Sequence, residues 1–232
     1  MKKKLFATTA LVLLLVVAVV GASLAYFTDE TETAENTFTV GKVKIILDEA
    51  LVNENGEPVD DNGEVVEDPQ DAKRVLENSY DLSPGLTYTK DPTVTVEGGS
   101  NPCYVRVFVT LTEADKFLEI YRAHNLSLED ALGFFGGYDE AVWEPVSMSS
   151  SDIEDGEMTV EFRYVKDGGI VPKSDDDTVL EPVITSVTLP TWVTNEDAAK
   201  FPDGFKVNVV ANAIQAAGFD DADAAWAAFD AD

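Results

Sequence analysis

Cysteine occurs once in the 232 residues, at Cys103, and histidine once, at His124. A lone thiol excludes an internal disulfide, so the fold has to be held by its core. A lone imidazole excludes zinc sites of the H-E-x-x-H kind, and one thiol adds little to it. Bases are scarce as well: 16 Lys and Arg stand against 44 Asp and Glu, a formal net charge of −28. A field of that sign repels nucleic acid and anionic lipid, attracts cations and keeps a chain soluble. Nucleic acid is therefore not an expected partner. Also missing are a G-x-S-x-G nucleophile elbow and a G-x-x-x-x-G-K-[ST] phosphate loop. With so many carboxylates, chance pairs abound and none marks a hydrolase. Enzyme is the weaker class, and no catalytic residue is assigned.

One apolar run is present, at the front. Lys2, Lys3 and Lys4 precede an uncharged stretch from Leu5 to Phe27, and the small residues Ser23 and Ala25 lie two apart near its end. This is the pattern of a secretory signal peptide, residues 1–25, cut after Ala25 to free Tyr26. The competing reading is an uncleaved anchor, because roughly 20 apolar residues cross a bilayer. Either way the lysines stay on the cytoplasmic side and the rest of the chain lies beyond the membrane, which it meets only through the uncleaved signal. Cleavage would leave 207 residues at a charge of −31, since it removes three lysines and no acid. No lipid-attachment cysteine follows the run, and LPTWV at Leu189 to Val193 lacks the glycine, tail and position of a sortase signal.

Beyond the run, period-two alternation dominates. Cys103, Val105, Val107, Val109 and Leu111 alternate with Tyr104, Arg106, Phe108 and Thr110, which predicts a strand with one buried face and a packed rather than reactive Cys103. The same alternation covers Thr159 to Tyr164 and Phe205 to Ala213. Further strands are expected at Val43 to Leu47, Thr87 to Val96, Val142 to Met148 and Val179 to Leu189. Helix is a minority: Glu113 to His124 behind a Thr112 cap, Ser127 to Leu132 with Ser127 and Asp130 as a capping pair, and Asp221 to Phe229. The expectation is a mainly β chain, an antiparallel sandwich of the jelly-roll kind with a few short inserted helices. Residues 26–42 form an N-terminal segment. Residues 43–232 form a single domain with an acidic hairpin insert at 48–70 and a helical insert at 113–137.

The acidic insert contains a near-repeat, NENGEPV at Asn53 to Val59 and DDNGEVV at Asp60 to Val66. Its Asn-Gly pairs suit two-residue hairpin loops. A calcium loop of the D-x-[DN]-x-[DN]-G-x5-E kind fails here, because its first position would fall on Leu51 or Pro58. Asp175, Asp176 and Asp177 are the remaining weak calcium candidates, read first as solvated charge. No other cofactor is expected.

The run ASLAYFTDETETAENTFTVGKVKIILDE resembles the start of the TasA and camelysin family of Gram-positive exported proteins, whose signals are cut by a SipW-type signal peptidase. The matching elements are Tyr26-Phe27-Thr28-Asp29, Phe38-Thr39-Val40-Gly41 and the strand Val43 to Leu47. LSPGLTYTKDPTVTVEGGSNPCYVRVFV, Leu82 to Val109, is similar to the family's L-x-P-G, K-D and G-S/N elements, and VNVVANAIQAAGFDDADAAW, Val207 to Trp226, to its A-x-A-I-Q-A-x-G-F ending. The resemblance implies a secreted or surface jelly-roll protein of the biofilm matrix that self-associates into fibres. In such fibres the freed N-terminal segment enters the sheet of the next subunit, with Tyr26, Phe27, Phe38 and Val40 as the assembly residues. The rival readings are a monomeric acidic binding module, holding calcium or a matrix or host partner, and a camelysin-like metalloprotease, for which no metal motif is present. The strong acidity, the near-repeat and the insert around Glu113 to Gly137 have no counterpart among the family elements.

Overall fold

The computed structural model describes residues 42–127, 130–131, 133–146, 153–154 and 156–231. All of them belong to the second of two compact units, Gly41–Asp232. Among them the strands are β1 (Ile45–Ala50), β2 (Arg74–Val75), β3 (Thr87–Thr89), β4 (Thr93–Val96), β5 (Cys103–Leu111), β6 (Trp143–Pro145), β7 (Ile153–Glu154), β8 (Glu157–Tyr164), β9 (Thr178–Val179), β10 (Ser186–Thr188) and β11 (Val207–Gln215). Three short helices accompany them: α1 (Ala114–Ala123), α2 (Asn195–Ala198) and α3 (Ala222–Phe229).

Every strand pair is antiparallel. One sheet runs β2-β1-β4-β9, another β11-β5-β8-β6 with β7 also on β8, and β10 pairs with β3. The alternation along β5 explains the second sheet. Val107 lies opposite Ala211 on one side and Phe162 on the other, and Val109 opposite Val209 and Val160. Small and β-branched side chains thus line one face in cross-strand rows. That face meets Val94 and Val96 of β4 in a shared core with Val105, Trp143, Leu180 and Val183. A second cluster gathers Tyr88, Leu111, Phe117, Tyr121, Phe134 and Val187. There Phe117 stacks edge-on against Phe134 and Phe205, at 5.4 and 4.6 Å between ring centroids.

The other face of β5 carries the third cluster, Tyr104 with Ala225 and Trp226 of α3. Arg106 lies directly opposite Arg163 on β8, a like-charge pairing that destabilises a sheet unless anions intervene. Helix α3 supplies them. Asp230 takes both Arg106 Nη atoms, at 2.5 and 3.0 Å, and Asp223 pairs with Arg163. The buried Arg106 guanidinium also lies over Trp226, at 4.4 Å from the ring centroid, and over Phe229 at 5.1 Å.

The long strands and α1 and α3 fall where the alternation and the caps predict them, with four differences. Thr87 to Val96 is two strands in different sheets, because Asp91 and Pro92 break the ladder: Pro92 has no N–H, and the Asp91 side chain bonds β1 instead. Val179 to Leu189 is likewise split into β9 and β10, with Pro182 between them. Thr112 does not cap α1. Its hydroxyl accepts the Lys206 N–H at 2.8 Å, extending the β5–β11 ladder, and Glu113 holds the cap position in a left-handed conformation at φ 56°. In the near-repeat the turns are three-residue loops rather than two-residue ones: Asn53 N–H donates to Glu57 O and Asp60 N–H to Glu64 O, with Gly56 and Gly63 at φ 77° and 80°. The Ser127 and Asp130 pair forms, with Asp130 Oδ2 accepting the Ser127 N–H at 2.7 Å and Ser127 Oγ the Asp130 N–H at 3.2 Å. Met148 and Leu132, the ends of two expected elements, lie outside the described residues.

The hydrogen bonds from Arg106 hold the Asp230 carboxyl below the usual carboxylate range. A depressed carboxylate stabilises the fold above its unfolded pKa, about 3.9, and that contribution is lost as pH falls through the folded value. Acidification below about pH 4 should therefore loosen α3, read as a change in tryptophan fluorescence. Asp230→Asn should remove that acid transition, and a transition of unchanged midpoint in the variant would count against the Arg106 latch.

Candidate functional site

The site of interest is the flank between β1 and β11, along which no strand pairs among the described residues. Among the described residues, β11 pairs with β5 and with no other strand. Its register says which groups are free. Lys206 O accepts the Thr112 N–H, and Ala216 N–H donates to Pro102 O, so the even-numbered residues face β5. By the antiparallel alternation, Val207, Val209, Ala211 and Ala213 turn their N–H and C=O groups to the open edge. In β1, Glu97 N–H donates to Lys44 O, which puts Ile46 and Asp48 toward β4 and leaves Ile45 and Leu47 facing outward.

The side chains of these same residues are only half buried. Val43 just before β1, Ile45 and Leu47 in it, and Val207, Val209, Ala211 and Ala213 of β11 pack on the principal core and are half-buried. A cleft of about 920 Å³ opens between Leu47–Glu49 and Val207–Val209 and reaches Tyr80, Leu82, Phe134, Val187, Phe201 and Phe205. Long unpaired edges are ordinarily shortened, charged or covered, and this one is nine residues long with no strand paired along it among the described residues.

A buried ionic network forms the other wall, and the L-x-P-G and K-D stretch builds it. Ser83, Pro84 and Gly85 turn the chain, and Ser83 N–H donates to Tyr88 Oη at 3.0 Å while Tyr88 Oη donates to Asp81 O at 2.8 Å. Lys90 then points inward, with Nζ 2.5 Å from Glu49 Oε2 and the two side chains 8% and 7% exposed. Asp91 Oδ1 accepts the Ala50 N–H at 2.8 Å, and Oδ2 the Arg74 Nη1 donor at 2.7 Å. Arg74 Nε donates to Asp48 at 2.9 Å, and Arg74 Nη1 also to Pro69 O at 3.1 Å. Burial pushes the Asp91 carboxyl up, against the opposing pull of Arg74 and the Ala50 N–H. Burial likewise raises the Tyr80 phenol, whose hydroxyl donates to Thr89 O at 3.1 Å. These groups tie β1 to β2 and β4 and fix one rim of the cleft.

Of the residues singled out by sequence, Ser23, Ala25, Tyr26, Phe27, Phe38 and Val40 lie outside the described residues. Asp175, Asp176 and Asp177 are exposed and belong to a loop that closes on Gly98. Asp177 Oδ1 accepts the Gly98 N–H at 2.8 Å, and the backbone oxygen of Asp175 lies 2.3 Å from where a Gly98 Cβ would fall. Among the described residues there is no group of three or more His, Cys, Asp or Glu placed to hold a metal. His124 stacks on Trp192 at 4.4 Å, with Nε2 3.7 Å from Asp197 Oδ2. Cys103 is fully buried, and burial pushes its thiol up to about 11. Sequence reasoning missed α2, although Thr194 and Asp197 carry the capping-box spacing that marks its start. It also missed the partnership of Glu49 and Arg74 with Lys90 and Asp91, which no local pattern announces.

Compared with family models, curated proteins and solved structures, the chain matches none.

Lys90→Met should cost about 3–5 kcal/mol in denaturant unfolding, because it leaves Glu49 buried without a partner. The double variant Lys90→Met with Glu49→Leu should recover most of that loss. Equal destabilisation in the single and double variants would mean that the pair is not coupled.

Proposed function

We propose that the chain is a TasA-like exported fibre subunit that assembles by donor-strand pairing. The observation that carries this reading is the flank itself: a nine-residue edge of β11 whose outward N–H and C=O groups have no strand partner among the described residues, above half-buried apolar side chains and beside the stretch of β1, Ile45 to Leu47, that β2 leaves unpaired. An added strand there would gain main-chain hydrogen bonds and cover Val207, Val209, Ala211 and Ala213. In this reading the two main sheets form a jelly-roll sandwich that lacks one strand. The missing strand is the N-terminal segment, residues 26–42, of another copy.

Processing is the switch. A SipW-type peptidase cuts after Ala25, releasing a segment tethered until then, and the protein acts at the cell surface or in the matrix. Thr31 to Val40 is rich in β-favouring Thr, Phe and Val, and its polar residues keep it soluble while unpaired. Phe38 and Val40 have the spacing of alternate side chains that fill pockets along an edge. The acids of the N-terminal segment 26–42, Asp29, Glu30, Glu32 and Glu35, repel an acidic neighbour, so assembly requires charge screening.

The chain beginning at Tyr26 should form fibres in negative-stain electron microscopy at near-neutral pH with salt and calcium. Loss of Tyr26 to Val40 should abolish them. A pair of proline substitutions separates edge pairing from general damage. Val209→Pro removes an N–H that bonds nothing in β5 and should block assembly while the monomer stays folded. Val210→Pro removes a ladder bond and should destabilise the monomer itself by roughly 3 kcal/mol or more. Fibres that persist with Val209→Pro would sink the β11 edge as the acceptor.

A further inference from the structure

The two acidic turns share a local sequence and differ in what surrounds them. Each has the form Asx-x-Asn-Gly-Glu, at Asn53–Glu57 and Asp60–Glu64. Asn53 Oδ1 accepts the N–H groups of Asn55 and Glu57 at 2.9 and 3.0 Å, and Asp60 Oδ1 those of Asn62 and Glu64 at 2.8 and 2.9 Å. Both glycines adopt the left-handed conformation and donate their N–H to the backbone oxygen three residues back.

Asn followed by Gly is chemically reactive, because glycine has no Cβ to crowd attack by its backbone nitrogen on the neighbouring side-chain carbonyl. In that step the Gly N–Asn Cγ bond forms and the Asn Cγ–Nδ2 bond breaks. Ammonia leaves carrying the proton of the glycine N–H. Water then opens the five-membered succinimide to aspartate or isoaspartate, with no oxidant or reductant involved. Ring closure needs the glycine nitrogen to leave its hydrogen bond and turn, so the cost of local opening controls the rate.

That cost differs between the turns. Gly56 is buried, and a Cβ built on it would lie 2.3 Å from Tyr88 Cδ1 and 2.7 Å from Tyr88 Cα. Its own oxygen accepts the Thr89 N–H at 2.9 Å, so opening this turn disturbs β3. Gly63 is exposed, with nothing among the described residues within 4 Å of the same point. Asn62 is also exposed, and among the described residues its side chain is held by Nδ2 donating to Asp60 Oδ2 at 3.0 Å. We infer that Asn62-Gly63 is a site of spontaneous deamidation, while Asn55-Gly56 is protected by its packing under Tyr88. The product adds a carboxylate beside Asp60 and Asp61, and its isoaspartate form lengthens the backbone of the second turn and leaves the first intact.

Tandem mass spectrometry of peptides from the full chain, held at mildly alkaline pH, tests the assignment. A gain of about 1 Da should accumulate at Asn62, roughly tenfold faster than at Asn55. Equal rates, a faster reaction at Asn55, or no gain at either residue would overturn it. Tyr88→Ala should bring Asn55 up toward the rate of Asn62. Asp60→Ala, on the exposed turn and outside the core, should speed Asn62 without changing Asn55, and an unchanged Asn62 rate would defeat the local-opening argument.

Discussion

Strand β5 is the constraint on which the rest of the molecule depends. All nine of its residues pair with β11 and Arg106 to Leu111 also pair with β8, and each of its faces supports a different layer. Val105, Val107 and Val109 enter the core shared with β4, Leu111 reaches into the aromatic cluster around Phe117, and Tyr104 and Arg106 hold α3 on the far face. In a chain without disulfides this one strand couples all three apolar clusters. Cys103, at its first position, serves as a small buried hydrophobe.

The few bases are concentrated where they organise structure. Arg74 and Lys90 tie β1 to its neighbours beside the cleft, and Arg106 and Arg163 collect the acids of α3. The buried pair of Lys90 with Glu49 contributes little net stability, but removing one partner strands a charge, so it specifies arrangement more than it adds free energy. With 44 acids against 16 bases, the chain carries a strongly negative charge. That charge keeps copies apart unless ions screen it, so the geometry of the open flank and the ionic conditions act together in the proposed assembly.

The open flank and the twin turns show the same principle at different scales. At both, packing decides which backbone groups can react or pair: the outward groups of β11 with an added strand, and the Gly63 nitrogen with the Asn62 side chain once its turn opens. Tyr88 withdraws Gly56, whereas nothing among the described residues withdraws the outer edge of β11. An edge left in this state over half-buried valines and alanines is what makes strand addition the favoured reading over a free-standing binding module.

Local periodicity by itself determined the long strands, the α1 and α3 helices, the Ser127 and Asp130 cap and the burial of Cys103, because each depends on residues two to four positions apart. The K-D pair was visible as a motif, but its partners Glu49 and Arg74 lie 41 and 17 residues from Lys90 and Asp91 and meet them only after β1, β2 and β4 assemble. Thr112 has the chemistry of a cap and was taken instead by Lys206, 94 residues on. Tertiary structure alone decided the division of residues 87–96 between sheets, the exposure of one Asn-Gly turn and the burial of its twin, and which edge of β11 stays open. The physical reason is that a strand's pattern fixes which face is apolar, whereas edge pairing and enclosure are properties of neighbours brought in from distant parts of the chain.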